Sequence, residues 1–294
     1  MPSKIVSWAI RQAKAIAFNV AADPIVRGLK VEEFIRKYLK EIELKTPENP
    51  ILGGFKIFSQ VDEDGIIETI SSRLPEEARN KTFIEIGCGR GVENNTAYLV
   101  VKGYRGVWVD GSSANIAHIH DSLPETKAGN PVLRVDQQMI YVHNVKALLE
   151  QYRDFLGTSE PEYFTLDIDG NDAFVLAEAM KVISPAIVCV EYNGKFPPNI
   201  DLTIEQNDDH FWQNNDYHGA SLATMVRVLD KYRLVACSLA GSNAFFVRKD
   251  LAQNFADYTP EQLYRPAQYE LIKRSAGHPP SLKWVRDALT RSAR

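Results

Sequence analysis

The hydrophobic pattern of the chain changes near residue 50. Before that point apolar residues recur at helical spacing in two sets, at Ile5, Trp8, Ala9 and Ile16, and at Val31, Phe34, Ile35 and Leu39. This spacing predicts helices within residues 3–45. Prolines at 47 and 50 break the pattern. Beyond them, short apolar runs rich in β-branched residues alternate with helical stretches.

Seven of these runs are predicted strands: residues 82–86, 106–110, 132–135, 163–167, 186–191, 232–237 and 244–247. The predicted helices between them cover residues 92–102, 144–152, 173–182 and 220–231. Alternating strands and helices favour a parallel sheet covered on both faces. The last two strands are joined by only six residues, too few for a crossover, so that pair is expected to be antiparallel. The predicted fold is therefore α/β and Rossmann-like, with a doubly wound, mostly parallel seven-stranded sheet and an antiparallel last strand.

Composition is that of an ordinary globular protein. The 294 residues are 45% hydrophobic and 24% charged, which excludes collagen-like, disulfide-scaffold and wholly disordered chains. We expect a helical N-terminal extension over 1–50, a main domain over 51–250 and a basic helical C-terminal extension over 251–294. No apolar run is long enough for a transmembrane span or a signal peptide. Cysteines 88, 189 and 237 lack metal-ligand spacing, and we expect reduced thiols and a cytoplasmic location.

Charge is unevenly distributed. The formal net charge is −4, which argues against a nucleic-acid partner. Basic residues nevertheless exceed acidic ones near both ends, over 2–50 and over 264–294. Three explanations stay open for the basic ends: contact with an anionic membrane surface, docking to an acidic partner or a second copy of the chain, and ordinary solvated surface.

A glycine loop follows the first predicted strand and precedes a helix. Gly87, Gly89 and Gly91 are spaced G-x-G-x-G, and Glu85 lies two residues before the first of them. Such a loop lets a ligand approach the backbone and the unpaired N–H groups of the helix start. The dinucleotide fingerprint would place its third glycine where Val92 stands. A ligand with an ammonium group, in contrast, explains the acid at position 85.

Asp110 ends the second predicted strand, where a carboxylate accepts hydrogen bonds from ribose hydroxyls. With the glycine loop, this makes residues 51–250 resemble the class I S-adenosylmethionine-dependent methyltransferases. The resemblance implies S-adenosylmethionine as cofactor, with its methionine part at the glycine loop and its ribose at Asp110. The predicted cofactor-binding residues are Gln60, Glu85, Gly87, Gly89, Asn95, Asp110 and Gly111. An NAD-type Rossmann domain and a glycine turn without ligand are the alternatives.

Further segments resemble the FkbM-type methyltransferases, enzymes largely of sugars and natural products. The segments are residues 59–66, 93–96, 166–172, 191–193 and 217–221. An FkbM member usually has a K-h-D-h-E-G-x-E run where this chain has Leu-Asp-Ile-Asp-Gly-Asn-Asp over 166–172. The resemblance implies O-methylation of a hydroxyl on a sugar, glycan precursor or related small metabolite. N- or C-methylation of a small metabolite and a non-catalytic cofactor-binding scaffold are the alternatives.

Carboxylates concentrate at the predicted carboxyl ends of strands four and five. Asp167 and Asp169 follow one strand, and Glu191 ends the next with Asn193 beyond it. Asp167 is predicted to be catalytic, as the base that takes a proton from the acceptor hydroxyl. Asp167, Asp169 and Glu191 are also the predicted ligands of Mg²⁺ or Mn²⁺. Alternatively, the acids after strand four are turn and cap residues for the following helix.

His218 is the second predicted catalytic residue, because a histidine titrates near neutral pH and suits proton removal. A capping or solvent-facing histidine is the alternative. The loop over 193–217 that precedes it is long for a compact domain and mixes acids with aromatic residues. We expect either a lid that stacks on a sugar ring or a purely structural excursion.

Overall fold

The computed structural model describes residues 24–272 and 280–292. The predicted helix through Ile5 and Ile16 lies outside the described residues. Within the described part, no helix is both long and apolar enough to cross a bilayer.

One seven-stranded sheet forms the centre of the molecule. Its strands are β1 (Thr82–Ile86), β2 (Arg105–Asp110), β3 (Leu133–Gln137), β4 (Tyr163–Leu166), β5 (Ile187–Glu191), β6 (Tyr232–Cys237) and β7 (Asn243–Arg248). They are ordered β3-β2-β1-β4-β5-β7-β6. Strands β1 to β5 pair in parallel, and β7 is antiparallel to both of its neighbours. The predicted mostly parallel sheet with an antiparallel last strand is confirmed.

The α-helices are α1 (Pro24–Lys45), α2 (Glu63–Arg73), α3 (Ala97–Val101), α4 (Ser113–Ser122), α5 (Val145–Leu156), α6 (Asp172–Ala179), α7 (Leu222–Val228), α8 (Pro260–Leu263), α9 (Tyr269–Ile272) and α10 (Lys283–Ser292). Short 3-10 helices span Pro50–Gly53, Glu76–Ala78, Pro124–Thr126 and Lys249–Asn254. Helices α5, α6 and α7 cover one face of the sheet, and α2, α3, α4 and α10 contribute to the core on the other.

The alternation of side chains along each strand divides the core between these two layers. Phe83 and Trp108 face the layer of α2, whereas Ile84 and Val107 face the layer of α5. All four side chains are fully buried. Burying an apolar side chain of this size stabilises the fold by about 1.5–3 kcal/mol, so the strands are held firmly from both sides.

This register gathers the carboxyl ends of β1, β2, β4 and β5 at one edge of the sheet. Just beyond β4, the backbone N–H of Asp167 still donates to the carbonyl of Ile86, at 3.0 Å. The antiparallel pairing of β5 with β7 places Asn243 opposite Glu191. The edge therefore collects polar residues that are distant in the sequence.

Candidate active site

The glycine loop after β1 is tightly constrained. Gly87 has φ +87°, and a Cβ atom there would lie 1.6 Å from the carbonyl oxygen of Asp167. Gly89 has φ +56°, but its Cβ would meet no atom of the described residues within 4 Å. Its N–H donates to Asp110 Oδ2 at 2.8 Å. The first glycine is thus required by close packing of β1 on β4, and the second by its backbone conformation.

Glu85 organises the residues that follow the loop. Its buried carboxylate accepts hydrogen bonds from Asn94 Nδ2 at 2.7 Å, from the N–H of Asn95 at 2.9 Å and from the Thr96 hydroxyl. Glu93 takes φ +65° to make this turn. The helix predicted over 92–102 was therefore too long, because residues 94–96 bond to Glu85 and α3 begins only afterwards. Burial raises the pKa of Glu85 to about 7.

A small cavity of about 180 Å³ lies beside this loop. Its lining includes five of the predicted cofactor-binding residues: Gln60, Glu85, Gly87, Gly89 and Asn95. Gln60 is held there by the segment before α2, in which Asp64 Oδ2 accepts three successive N–H groups from residues 57–59 at 2.6–2.9 Å. Helix α2 begins only at Glu63, so Gln60 lies in the turn before it and not in the helix.

Two asparagines in the wall of the small cavity have an unsatisfied carbonyl oxygen. Asn94 donates its amide nitrogen to Glu85, and Asn243 donates its own to Glu63 Oε1 at 3.2 Å. Both residues are buried, and neither Oδ1 atom has a hydrogen-bond partner in the described part of the chain. Buried polar atoms are normally paired. Two free acceptors beside a carboxylate suit a group with several N–H donors and a positive charge, such as an ammonium.

A larger cavity of about 660 Å³ has Gly87, Gly89 and Asp167 in common with the lining of the small one. Asp110 and Gly111 lie in its wall, and residues 138–141 after β3 form another side. Asp110 Oδ1 accepts from the N–H of Ser112 at 2.8 Å and from Asn115 Nδ2 at 3.0 Å. Each oxygen of a carboxylate has two lone pairs, so Asp110 is oriented by the loop and can still accept from a ligand hydroxyl.

We define the carboxylate cluster as Asp167, Asp169 and Glu191, of which Asp167 and Asp169 line the larger cavity. One oxygen of each residue lies within 4.8 Å of the others. Burial, followed by the charges of Glu191 and Asp169, raises the pKa of Asp167 well above its usual range. Burial and the charges of Asp172 and Asp169 do the same to the pKa of Glu191. Hard divalent cations take such oxygen ligands, and a base of raised pKa can accept a proton.

His218 is 9% exposed and lies next to the cluster. Its Nδ1 is 3.7 Å from Glu191 Oε2, and neither atom has a hydrogen-bond partner among the described residues. Asn193 Nδ2 donates to the carbonyls of Asp216 at 2.9 Å and His218 at 3.2 Å, which holds this end of the loop. His218 is thus not solvent-facing, and the first residues of the loop fix its position.

The acids after β4 divide between two roles. Asp172 accepts from the N–H groups of Ile168 at 2.9 Å and Gly170 at 2.8 Å, so it is a turn residue as the alternative proposed. Burial raises the pKa of Asp172 to about 6. Asn171 Nδ2 donates to the carbonyl of Asn207 at 2.9 Å, and the N–H of Asn207 donates to Asn171 Oδ1 at 3.1 Å. These two bonds attach the loop over 193–217 to the start of α6. Asp169, with φ +57°, belongs instead to the carboxylate cluster.

Sequence reasoning missed Asn94 and Asn243 as residues of this site. Asn243 could have been found from the register of the antiparallel β5–β7 pair. Tyr269 directly follows a C-terminal strap, residues 264–268, which lies in the segment predicted to be a basic extension. The strap crosses the edge of the sheet through bonds from the N–H of Ala267 to Gly194 O at 3.1 Å and from the N–H of Gln268 to Ala240 O at 2.7 Å. Burial and then the charge of Glu191 raise the pKa of Tyr269.

Comparisons with known proteins give distant similarities only. No family model matches the chain, and no curated protein matches it. Among solved structures, the chain is similar to the N-terminal domain of EvdMO1 with SAH bound, at 11% identity and a TM-score of 0.40, over 72% of this chain and 94% of that one. It is also similar to an O-methyltransferase from Bacillus cereus in complex with SAH, at 12% identity and a TM-score of 0.40, over 72% and 91% of the two chains. Magnesium protoporphyrin IX methyltransferase from Synechocystis gives 10% identity and a TM-score of 0.37, over 62% and 78%.

Proposed function

We propose that this protein is an S-adenosylmethionine-dependent O-methyltransferase that acts on a hydroxyl of a sugar, glycan precursor or related small metabolite. The observation that carries the proposal is the pair of cavities that have Gly87, Gly89 and Asp167 in common. One holds a carboxylate with two unpaired buried carbonyl oxygens, and the other holds Asp110. A ligand with an amino-acid end and a nucleoside end matches both.

The residues present fit this cofactor. Glu85, Asn94 and Asn243 would accept the three hydrogens of its ammonium, and Asp110 would accept from its ribose hydroxyls. Gly87 and Gly89 line both cavities and carry no side chain that could obstruct the ligand. The cofactor, when bound, supplies a methyl group on a positively charged sulfur. NAD has no ammonium to satisfy the buried oxygens of the small cavity, so its fit is poorer.

Proton removal from the acceptor hydroxyl is assigned to Asp167, with His218 as the second base. A neutral hydroxyl is a poor nucleophile, and a positioned base assists it. The raised pKa of Asp167 makes it a stronger base than an ordinary aspartate. Most of the remaining rate enhancement would come from orienting the hydroxyl towards the methyl group.

In the alternative arrangement, Asp167, Asp169 and Glu191 would hold a divalent cation such as Mg²⁺ or Mn²⁺, and Asp167 would then be a ligand and not the base. Their oxygens lie close enough for one ion, and such an ion would relieve their mutual repulsion. It would lower the pKa of a bound hydroxyl and orient it. The sugar-like acceptor and membership of the FkbM-type family rest on the sequence segments named above and on the aromatic loop.

Calorimetric titration tests the proposal. S-adenosylhomocysteine should bind with micromolar affinity and NAD should not. A heat of binding with NAD and none with S-adenosylhomocysteine would mean that the glycine loop binds a dinucleotide. Mg²⁺ or Mn²⁺ added to a later turnover assay would show whether the carboxylate cluster acts through a metal.

A further inference from the structure

The amino-acid end of the proposed cofactor carries a carboxylate as well as an ammonium. The small cavity offers acceptors to the ammonium, but the charged residues in its wall, Glu85, Glu93 and Asp167, are all acidic. No Lys or Arg is among the described residues that line it. A carboxylate taken out of water without donors or a cation is costly. The candidate partners are backbone N–H groups near the glycine loop and side chains at the rim of the cavity.

Most N–H groups of the glycine loop are already bonded within the protein. Residues 87 and 88 donate to the carbonyl of Val109, at 2.8 and 3.1 Å, and Gly89 donates to Asp110 at 2.8 Å. Gly91 donates to the carbonyl of residue 88 at 3.0 Å. A ligand that used these N–H groups would break one hydrogen bond to form another, which gives little net stabilisation. The loop therefore gives the ligand space, and the donors for its carboxylate lie elsewhere.

The segment that precedes α2 also uses its N–H groups internally. Asp64 Oδ2 accepts from residues 57–59, and Glu63 Oε2 accepts from residues 61 and 62 at 2.8 and 3.1 Å. Gln60 lines the small cavity, and its side-chain amide supplies two N–H groups. The donors that this segment can direct to a ligand therefore lie at Gln60 and at the nearby Lys56.

Lys56 lies at the rim of the small cavity. Its Nζ atom donates to the carbonyl of Gln60 at 2.8 Å and lies 4.0 Å from Glu93 Oε1, and both of these residues line the cavity. The distance to Glu93 is too long for a hydrogen bond. The two side chains are 41% and 53% exposed, so their attraction is screened by water. Because an ammonium has three N–H groups, Lys56 can bind a further acceptor without leaving Gln60.

We propose that Lys56 binds the carboxylate of the cofactor at the rim of the small cavity, with the side-chain amide of Gln60 as a second donor. Glu93 then competes with the ligand for the same ammonium. This inference rests on the proposed function, because it completes the cofactor site of that function. It predicts that the site selects ligands that keep a free carboxylate.

A cycle of two ligands and two proteins tests the contact. Isothermal titration measures S-adenosylhomocysteine and decarboxylated S-adenosylhomocysteine, which keeps the ammonium, against the wild type and Lys56→Met. Lys56→Met should weaken S-adenosylhomocysteine binding by roughly tenfold, as expected for a charge-assisted hydrogen bond, and should not weaken binding of the analogue. EDTA is present throughout, so that no divalent cation at the carboxylate cluster can take the place of Lys56.

Three further variants sharpen the result. Lys56→Arg keeps the charge and should keep most of the preference for the carboxylate. Lys102→Met is the matched control, because this lysine pairs with Glu68 at 3.2 Å and lines a different cavity. It should leave both affinities unchanged. Glu93→Gln should shift the preference severalfold towards S-adenosylhomocysteine, since it frees the ammonium of Lys56 and removes a negative charge beside the carboxylate.

The outcomes separate this contact from the proposed function. Equal weakening of both ligands by Lys56→Met would overturn the inference, because the lysine would then only hold the segment before α2 in place. Unchanged S-adenosylhomocysteine affinity in Lys56→Met would also overturn it and would assign the carboxylate to backbone N–H groups. If the wild type bound neither ligand, the proposed function would fail, and this contact would fail with it.

Discussion

The carboxylates at the two ends of the candidate site have opposite surroundings. At the small cavity, Glu85 is surrounded by donors from residues 94–96, and the atoms left unpaired are carbonyl oxygens. At the acceptor side, Asp167 and Glu191 face other carboxylates, and their pKa values are raised well above the usual range. At the small cavity, only the unpaired carbonyl oxygens lack a partner, and a cation would supply one, so this end suits cofactor binding. The second end holds repelling groups, which suits proton transfer or a metal.

The largest effect is expected from a substitution at Gly87, which packs against the backbone of Asp167 between the two ends of the site. Gly87→Ala would drive a Cβ into the carbonyl of Asp167 in a backbone conformation that favours glycine. We expect a loss of about 4 kcal/mol or more in the free energy of unfolding, together with loss of S-adenosylhomocysteine binding. Gly89→Ala is the matched control, since the added Cβ meets no atom of the described residues within 4 Å. Denaturant melts should show a cost of only about 1 kcal/mol there. Equal costs at the two positions would show that the close approach to Asp167 does not matter.

The next largest effects are expected at Asp110 and Asp167, whose substitutions should change cofactor affinity and turnover separately. Asp167→Ala should lower kcat by roughly 10²–10⁴-fold and leave S-adenosylhomocysteine affinity nearly unchanged. Asp110→Ala should weaken that affinity by roughly tenfold or more, since it removes hydrogen bonds to a charged acceptor. Calorimetry and single-turnover rates on the two variants measure both quantities. If both variants lost binding and turnover alike, the two ends of the site would not have separate functions.

The pH dependence of cofactor affinity gives a smaller effect. Burial holds the pKa of Glu85 at about 7, and an ammonium partner favours the ionised form. S-adenosylhomocysteine affinity should therefore be flat above pH 7 and fall about tenfold per unit below it. The folded-state pKa is raised, so the stability contribution of Glu85 is present below the unfolded value of 4.5 and is lost as the pH rises through about 7. Methylthioadenosine lacks the ammonium and should show flat affinity in the same titrations. A flat profile for both ligands would remove Glu85 from the cofactor site.

Addition of Mn²⁺ is expected to give the smallest effect. The ion should raise the thermal midpoint by about 3 °C at ten times its dissociation constant. At one fixed Mn²⁺ concentration, the increase in the thermal midpoint should be larger at pH 8 than at pH 6, because the carboxylate ligands must be ionised to bind the ion. Asp169→Asn should abolish the increase, and Asp209→Asn should preserve it. An unchanged midpoint in the wild type would leave Asp167 and His218 as bases without a metal.

The sheet and the glycine loop could be predicted because both depend on local patterns. The strands appear in the sequence as short apolar runs. The glycines stand at the positions of the turn where the backbone has positive φ angles. The helix after the loop was predicted too long, since nothing local indicates that residues 94–96 bond to Glu85. Asn243 was missed because its place depends on the register of an antiparallel pair far along the chain. The exposed side chain of Tyr269 gave no pattern that linked it to Glu191.

The most direct test of the cofactor site compares two ligands on two proteins. Isothermal titration measures S-adenosylhomocysteine and methylthioadenosine, which lacks the amino-acid end, against the wild type and Asn243→Leu. The wild type should prefer S-adenosylhomocysteine by roughly tenfold or more, as expected for hydrogen bonds to a charged group. Asn243→Leu should reduce that preference and leave methylthioadenosine affinity unchanged. Equal affinity of the wild type for the two ligands would contradict the assignment of the small cavity to an ammonium group.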